Sequence, residues 1–302
     1  MTSTPIPQRQ SMLCPNCRKL ISLSEPKCPF CGTARPGSLW KNNFWTRSFY
    51  NPGQFIKAII AVNAGMFLLS LLLYPAASSL NINPLTFLSP SNASLVLLGA
   101  TGVVPIDHFP QLLDQILGTG ALAIDRIPRW WTLISAGYLH GGILHIVFNM
   151  AAFRQLAMLV GREFGVYRMF VIYTLAGVSG FIVSYLVGVP LTIGASAGVC
   201  GLLGASLYYG KSRGGVYGRA IYKQIGGWIV FIFIFGLLVP GINNWGHGGG
   251  ILAGVFLGFV LGYHEKKKEV LFHKVFGGLC AALTVLVLGM FAATAIFYRL
   301  AG

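Results

Sequence analysis

Acidic residues are scarce in this chain. Its 302 residues include seven Asp and Glu against 22 Lys and Arg, and only 10% of all residues are charged. Soluble domains carry about 25% charged residues, so the composition excludes an ordinary soluble protein. The hydrophobic fraction of 55% and the 39 glycines instead indicate an all-α polytopic membrane protein whose helices pack closely.

Runs of about twenty apolar residues, long enough to cross a bilayer, predict seven membrane spans. The spans cover residues 55–74, 141–160, 167–187, 194–210, 225–240, 246–263 and 275–298. With this span order, all but three of the 22 basic residues fall on the side of the N-terminus. The positive-inside rule then predicts a cytoplasmic N-terminus and an outer C-terminus. The net charge of +15 is therefore interpreted as a signal of membrane orientation, to which attraction between the basic residues and anionic lipid contributes. It does not indicate nucleic-acid binding.

The polar N-terminus contains two cysteine pairs of the form Cys-Pro-x-Cys and does not resemble a signal peptide. The pairs are Cys14 with Cys17 and Cys28 with Cys31. Two such turns present four thiolates to one structural zinc ion, and the cytosol disfavours disulfides. We therefore expect a cytoplasmic zinc ribbon over residues 1–35, which binds a protein partner or has a regulatory role, and a linker over residues 36–54. A redox dithiol is the alternative, but no thioredoxin-like pattern surrounds the cysteines.

Polar groups suited to catalysis collect at the starts of the second, fourth and sixth spans, all on the predicted outer side. They are His145, Asn149, Ser196, flanked by Gly194 and Gly198, and His247. Each has a simpler structural explanation: the serine as a small packing residue, the histidines and asparagine as groups that join helices. Their common depth nevertheless favours one functional site.

As a set, these residues fit nucleophilic catalysis by a serine. Ser196 would attack a carbonyl carbon, and His247 would accept the hydroxyl proton. His145 and Asn149, at i and i+4 on one helix face, would donate hydrogen bonds to the oxyanion. The predicted topology places no acidic residue near His247, so we expect a dyad and not a triad.

Glycines near the serine and the histidine indicate close helix contact. Gly194 and Gly198 would let helices and a substrate backbone approach Ser196. Gly250 and Gly254 follow the histidine at i+3 and i+7 and give the sixth span a bare face. That face could lie against the fourth span and bring the imidazole to the serine.

These motifs together resemble the rhomboid family of intramembrane serine proteases. They read His140-x4-His145-x3-Asn149, Gly194-Ala195-Ser196-Ala197-Gly198 and His247-x2-Gly250-x3-Gly254. The resemblance implies a six-helix bundle over residues 55–264, a seventh transmembrane helix within 265–302, and catalysis without a cofactor. It also implies cleavage of single-span membrane proteins near the outer face, and it places His140 near the site.

Two features depart from the family pattern. Trp130-Trp131-Thr132 stands where the family has a Trp-Arg pair, so a threonine replaces the arginine. The first outer loop, residues 75–140, is long, and we expect its apolar residues 95–98 to embed partly in the membrane. Glu163, at the inner end of the second span, is interpreted as a structural residue.

Two other functions compete with proteolysis. A catalytically silent rhomboid-like protein could bind transmembrane partners, but such proteins usually lack the serine or the histidine, and both are present here. A small transporter would need polar groups through both leaflets, whereas the polar groups here collect on one side. The absence of an import presequence favours a bacterial inner membrane over a eukaryotic one.

Overall fold

The computed structural model describes residues 11–14, 19–38, 52–75, 87–107 and 129–301. The chain divides into two compact units, Met1–Lys57 and Ala58–Gly302. Cys17, most of the expected linker and parts of the first outer loop lie outside the described residues.

The N-terminal unit is built on a short antiparallel hairpin. Strand β1 (Ser11–Leu13) pairs with β2 (Leu20–Ser22), with Met12 opposite Ile21. Its buried core consists of Ile21 and two cysteines, Cys14 and Cys28. A core this small stabilises a fold only weakly, so a unit of this size normally needs a metal or a disulfide.

The remaining described residues are mostly helical. The helices are α1 (Pro52–Leu73), α2 (Asn92–Leu97), α3 (Val103–Asp107), α4 (Thr132–Ser135), α5 (Ile143–Glu163), α6 (Val166–Leu186), α7 (Ser196–Arg213), α8 (Gly215–Leu238), α9 (Asn244–Leu261) and α10 (Leu271–Ala301). A 3-10 turn, Ala136–Tyr138, follows α4. This is the architecture of a rhomboid-like polytopic bundle, as the sequence predicted.

Six of these helices are long and apolar enough to cross a membrane: α1, α5, α6, α8, α9 and α10. The sequence predicted seven spans, and the fourth of them, α7, is a helix of 18 residues that does not meet the same apolar criterion. Its sequence is rich in glycine and ends in Lys211 and Arg213. Most of its residues are buried against other helices, so it does not need a lipid-facing apolar surface.

Helix α7 packs closely on α6 and α9 because glycines remove the side chains at the contacts. A Cβ on Gly198 would lie 2.7 Å from the carbonyl oxygen of Tyr173 in α6. On the α9 side, Gly254 lies directly against the carbonyl oxygen of Gly201. Backbones this close gain dispersion contact that bulkier residues would prevent. The prediction of a bare glycine face on the sixth span, facing the fourth, is confirmed.

The last membrane-length helix, α10, lies along α6 and reaches the first outer loop. Near its start, a Cβ on Gly277 would lie 3.0 Å from Cβ of Tyr167. Towards its end, the Phe291 ring lies under the guanidinium of Arg129 at 4.9 Å and contacts Gly99, just after α2. Residues 95–98, expected to embed partly in lipid, are buried inside the protein in this region.

A buried arginine joins the α5–α6 corner to the segment before α10. The guanidinium of Arg168 donates to the carbonyl oxygens of Gly262 at 2.7 Å and Lys267 at 2.9 Å. Glu269 accepts hydrogen bonds from the backbone N–H groups of Tyr167 and Arg168 at the start of α6. Glu163 in the same corner accepts a hydrogen bond from Tyr209 at 2.9 Å, which supports the structural role expected for it.

Candidate active site

Ser196 is the first residue of α7 and is half-buried. The chain reaches it through Gly194, whose φ of +119° lies in the region that favours glycine. The backbone N–H of Gly194 donates to the carbonyl oxygen of Ala136 at 2.9 Å, which fixes this turn. The serine hydroxyl is therefore presented at the start of a helix, on a turn that admits no larger residue at position 194.

The imidazole of His145 faces the same turn. Its Nε2 would lie 2.8 Å from a Cβ on Gly194, and that Cβ position is 3.7 Å from Oγ of Ser196. The Nδ1 atom accepts a hydrogen bond from the N–H of Gly141 at 3.2 Å. A neutral imidazole that accepts at Nδ1 carries its proton on Nε2. His145 thus turns an N–H donor toward the serine.

Asn149 and His140 complete this side of the site. Asn149 is buried one turn after His145 and donates one amide hydrogen to the carbonyl oxygen of His145 at 2.9 Å. An amide group has two N–H donors, so a second remains for another acceptor. The ring of His140 is fully buried and stands edge-on to that of His145, with 5.1 Å between the ring centres. The predicted grouping of these three residues is therefore present.

His247 lies in the first turn of α9 and is largely buried. Its helix begins beside the start of α7: Gly180 of α6 is in contact with both the carbonyl oxygen of Gly246 and Cβ of Ala197. One turn later, Gly250 lies directly against the carbonyl oxygen of Ala197. Ala197, next to the serine, therefore touches the helix turn that follows His247, although 51 positions separate the serine and the histidine in sequence.

Ser196 and His247 lie on helix starts that touch, but their side chains are not hydrogen-bonded to each other. Among the described residues, no hydrogen bond links Ser196 to His247, and Nδ1 of the histidine is buried without a partner. No carboxylate in the described part of the chain bonds to this ring. Catalytic hydrogen bonds are often long in the absence of substrate and shorten when it binds. The structure therefore brings together the helix starts that carry Ser196 and His247, without a hydrogen bond between the two side chains.

Asn243 holds the start of α9, and the sequence reasoning did not identify it. Its side-chain oxygen accepts from the N–H of Gly246 at 3.0 Å, which caps the helix. Its amide nitrogen donates to Ser184 of α6 at 2.7 Å and to Thr192 at 3.1 Å, in the segment before α7. One side chain thus connects the three segments around His247. The residue type and its place before a helix were the available signal.

Thr132, at the position where the family has arginine, is fully buried. Its hydroxyl lies 2.7 Å from the carbonyl oxygen of Arg129 and 3.0 Å from Oγ1 of Thr101. Trp130 meets Tyr185 edge-on at 5.2 Å. These contacts attach the described end of the first outer loop to α6 and to the segment after α2.

A small cavity lies behind the serine turn. Its volume is about 20 Å³, and Ala195 and Gly198 are among the residues that line it. A space of this size can hold about one water molecule.

Three of the four predicted zinc ligands lie together. The Sγ atoms of Cys14, Cys28 and Cys31 are all within 4.8 Å of one another. The Sγ atoms of Cys14 and Cys31 are 3.6 Å apart, too far for a disulfide bond. Four thiolates about 2.3 Å from a tetrahedral zinc ion would stand about 3.8 Å from each other. The spacing and the all-sulfur donor set therefore fit zinc.

The segment that contains these polar residues is similar in sequence to known proteins. The sequence model of the Rhomboid domain matches residues 128–264, which include all five polar residues of the site. The chain is 38% identical to "Rhomboid protease GluP" of Bacillus subtilis over 137 residues, covering 44% of this chain and 26% of that protein. It is 37% identical to "RHOMBOID-like protein 5" of Arabidopsis thaliana over 137 residues, covering 43% of this chain and 44% of that protein. The matched segment thus spans less than half of either relative, and the similarity supports the rhomboid family.

Proposed function

We propose that this chain is a rhomboid-type serine endopeptidase that hydrolyses a peptide bond in or near the transmembrane segment of single-span membrane proteins. One observation carries the proposal. The turn that holds Ser196 packs against the turn that holds His247, within a bundle of membrane-length helices. A donor N–H from His145 faces the same turn.

The residues support a two-step acyl transfer. The hydroxyl oxygen of Ser196 attacks the peptide carbonyl carbon while His247 takes the hydroxyl proton. The negative charge on the carbonyl oxygen is stabilised by N–H donors from His145 and Asn149. When the C–N bond breaks, the imidazolium returns its proton to the leaving amine. A water molecule then attacks the acyl-serine ester, again with His247 as the base, and releases the carboxylic acid.

The proposed base works without a carboxylate partner. Its Nδ1 forms no hydrogen bond within the described residues. The orientation of the ring depends instead on helix packing through Gly250 and on the cap from Asn243. A serine–histidine dyad with packing-based orientation is therefore the mechanism that this site supports.

A catalytically silent role in binding transmembrane partners is the second candidate. It would share the fold but not need a nucleophile. The presence of both Ser196 and His247, with their helix starts in contact, favours the active enzyme. The two functions differ in whether the serine reacts.

An active-site probe tests the nucleophile directly. A fluorophosphonate should label the full-length protein in detergent, and Ser196→Ala should abolish the labelling. Ser206→Ala is the matched control, since that hydroxyl lies in the same helix and donates to the carbonyl oxygen of Leu202. Equal labelling of wild type and Ser196→Ala would overturn the assignment. His247→Ala should be folded and unable to cleave a model single-span substrate.

We also propose the orientation that charge counting predicts, with a cytoplasmic N-terminus and the site open to the outer side of a bacterial inner membrane. Most basic residues of the chain support this assignment. Reporter fusions at residues 40 and 302 should report opposite sides of the membrane. Reporters on the same side would contradict it.

For the N-terminal unit we propose one structural zinc ion held by Cys14, Cys17, Cys28 and Cys31. The clustered thiols among the described residues support it. Zinc would stabilise the small hairpin and take no part in peptide hydrolysis. A cytoplasmic protein is the partner expected for a folded unit of this kind.

A further inference from the structure

A basic pocket lies at the corner between α7 and α8. Its volume is about 340 Å³, within the range of about 300–1,000 Å³ typical of small-molecule sites. The lining residues are Gly210, Lys211, Gly214, Arg219, Tyr222 and Lys223. Ser196 stands at the opposite end of α7, about 22 Å from Lys211 at 1.5 Å per residue. The pocket is therefore separate from the candidate active site.

The corner that holds these charges is tightly packed. A Cβ on Gly210 would lie 2.7 Å from the backbone nitrogen of Tyr222, and one on Gly218 would lie 2.7 Å from the carbonyl oxygen of Gly210. The turn between the helices runs through Gly214 and Gly215, with φ of +68° and +64°. Backbone contact on both sides fixes the two helices, so the three cationic side chains start from fixed positions around one space.

The cations of the pocket are not neutralised by the protein. Nearby Arg213 pairs with Glu265 at 3.1 Å. Within the described residues, in contrast, no salt bridge involves Lys211, Arg219 or Lys223, and no acidic residue lines the pocket. The ammonium of Lys211 stands 5.6 Å from the ring centre of Tyr222. Three like charges converging on one space favour an anion between them.

The pocket lies where phospholipid headgroups would be. Helix α8 has 24 residues and is therefore about 36 Å long, whereas the hydrocarbon core of a bilayer is about 30 Å thick. Its charged residues all fall in the first turns, and none follows Lys223. Beyond that point α8 exposes large apolar side chains, including Phe231 and Leu237. A lipid can therefore place its phosphate in the pocket and its acyl chains along α8.

We propose that this pocket binds the phosphate of an anionic phospholipid headgroup. Lys211, Arg219 and Lys223 supply charged donors for the phosphate, and Tyr222 lines the same space. The same phosphate group could come from a phospholipid headgroup or from free inorganic phosphate. The exposed apolar face of α8, directly below the pocket, favours the lipid as its source.

Lipid binding to the full-length protein tests this inference. Wild type in detergent is mixed with equal amounts of phosphatidylglycerol and phosphatidylcholine, and retained lipid is measured by native mass spectrometry. The wild type should prefer phosphatidylglycerol. The triple variant Lys211→Gln, Arg219→Gln, Lys223→Gln should lose about fivefold affinity per charge, on the order of 100-fold in all. Arg219→Gln alone should lose about fivefold, which keeps the test informative if the triple variant is unstable.

A matched variant and a phosphate arm separate the outcomes. The control Lys57→Gln, Arg154→Gln, Lys268→Gln removes the same charge from exposed residues outside the pocket and should retain the preference. Equal binding of both lipids by the wild type, or equal loss in the control, would overturn the proposal. Charge-dependent binding of inorganic phosphate without lipid preference would also overturn the lipid assignment. A Ser196→Ala background serves equally well, so the result does not depend on the proposed protease activity.

Discussion

Gly250 of α9 lies directly against the main-chain carbonyl oxygen of Ala197 on α7. Ala197 immediately follows Ser196, and Gly250 stands one helical turn after His247. The contact therefore sets the separation between the helix starts that carry the proposed nucleophile and base. Because no carboxylate within the described ranges bonds to the imidazole, the proposed dyad depends on this backbone contact.

Gly250→Ala should separate the two helices and impair the site. An added methyl group would meet the Ala197 carbonyl, and such overpacking costs about 1–3 kcal/mol. We expect a lower Tm and a loss of fluorophosphonate labelling at Ser196 at temperatures where the variant remains folded. Thermal unfolding and initial labelling rates measure the two effects.

Gly226→Ala is the control for that substitution. Gly226 lies in α8, and nothing is within 4 Å of its Cβ position. Ser196 in the Gly226→Ala variant should be labelled at the wild-type rate. A Gly250→Ala protein that is labelled at the wild-type rate would show that the contact does not position the dyad.

Local spacing predicted the glycine face of α9, because residues at i, i+3 and i+7, here His247, Gly250 and Gly254, share one side of a helix. It could not predict the connections of Asn243, whose partners Ser184 and Thr192 are 59 and 51 residues away. Long-range hydrogen bonds leave no periodic signal in a single sequence. The contact between the starts of α7 and α9 could be predicted, whereas the polar residues that hold these starts in place could not.

Asn243→Ala should destabilise the start of α9 and slow catalysis. Loss of an N-cap costs about 1 kcal/mol, and the bonds to Ser184 and Thr192 are lost as well. Asn243→Asp keeps the acceptor for the Gly246 N–H but loses both amide donors, so its stability should be intermediate. We expect the labelling rate of Ser196 to follow the same order. If Asn243→Ala has the wild-type Tm and the wild-type labelling rate of Ser196, Asn243 does not stabilise the site.

The limits of α8 show a second failure of sequence reasoning. The apolar window predicted a span over 225–240, but the helix begins at Gly215. Arg219 and Lys223 end an apolar window without ending a helix, since both are good helix formers. Those ten additional residues include Arg219 and Lys223, two of the three cations of the basic pocket. From composition alone, these basic residues could be interpreted only as a signal of membrane orientation.

Purified protein should contain one zinc ion per chain. Cys14→Ser should lose it, because one of the clustered thiolates is removed. Cys280→Ser, a buried thiol of α10 in the second compact unit, should retain it. Metal analysis of the three proteins gives the stoichiometry, and labelling of Ser196 should persist in all of them. Metal-free wild type, or equal zinc loss in both variants, would contradict the zinc ribbon.

Glu269 should make stability fall as pH rises from the acidic side. The carboxylate is half-buried against the start of α6, and this partial burial raises its pKa above the usual value, although the N–H groups of Arg168 and Tyr167 and the charge of Arg168 oppose the shift. The folded protein then binds more protons than the unfolded chain between the ordinary pKa and the raised one. Over that window the free energy of unfolding falls with increasing pH.

Glu269→Gln should remove this contribution. An amide oxygen can still accept from the two backbone N–H groups, but it does not titrate in this range. His264 also faces Arg168, and burial lowers its pKa, so it contributes a slope of the opposite sign in both proteins. The informative quantity is therefore the difference in unfolding free energy between wild type and Glu269→Gln as a function of pH. Wild type should lose stability relative to Glu269→Gln as pH rises through the window.

Lys268→Gln is the control, because it leaves the carboxyl group of Glu269 in place. Its free energy of unfolding should change with pH as that of wild type does. If the difference between wild type and Glu269→Gln stays constant with pH, the carboxyl group titrates alike in the folded and unfolded chains.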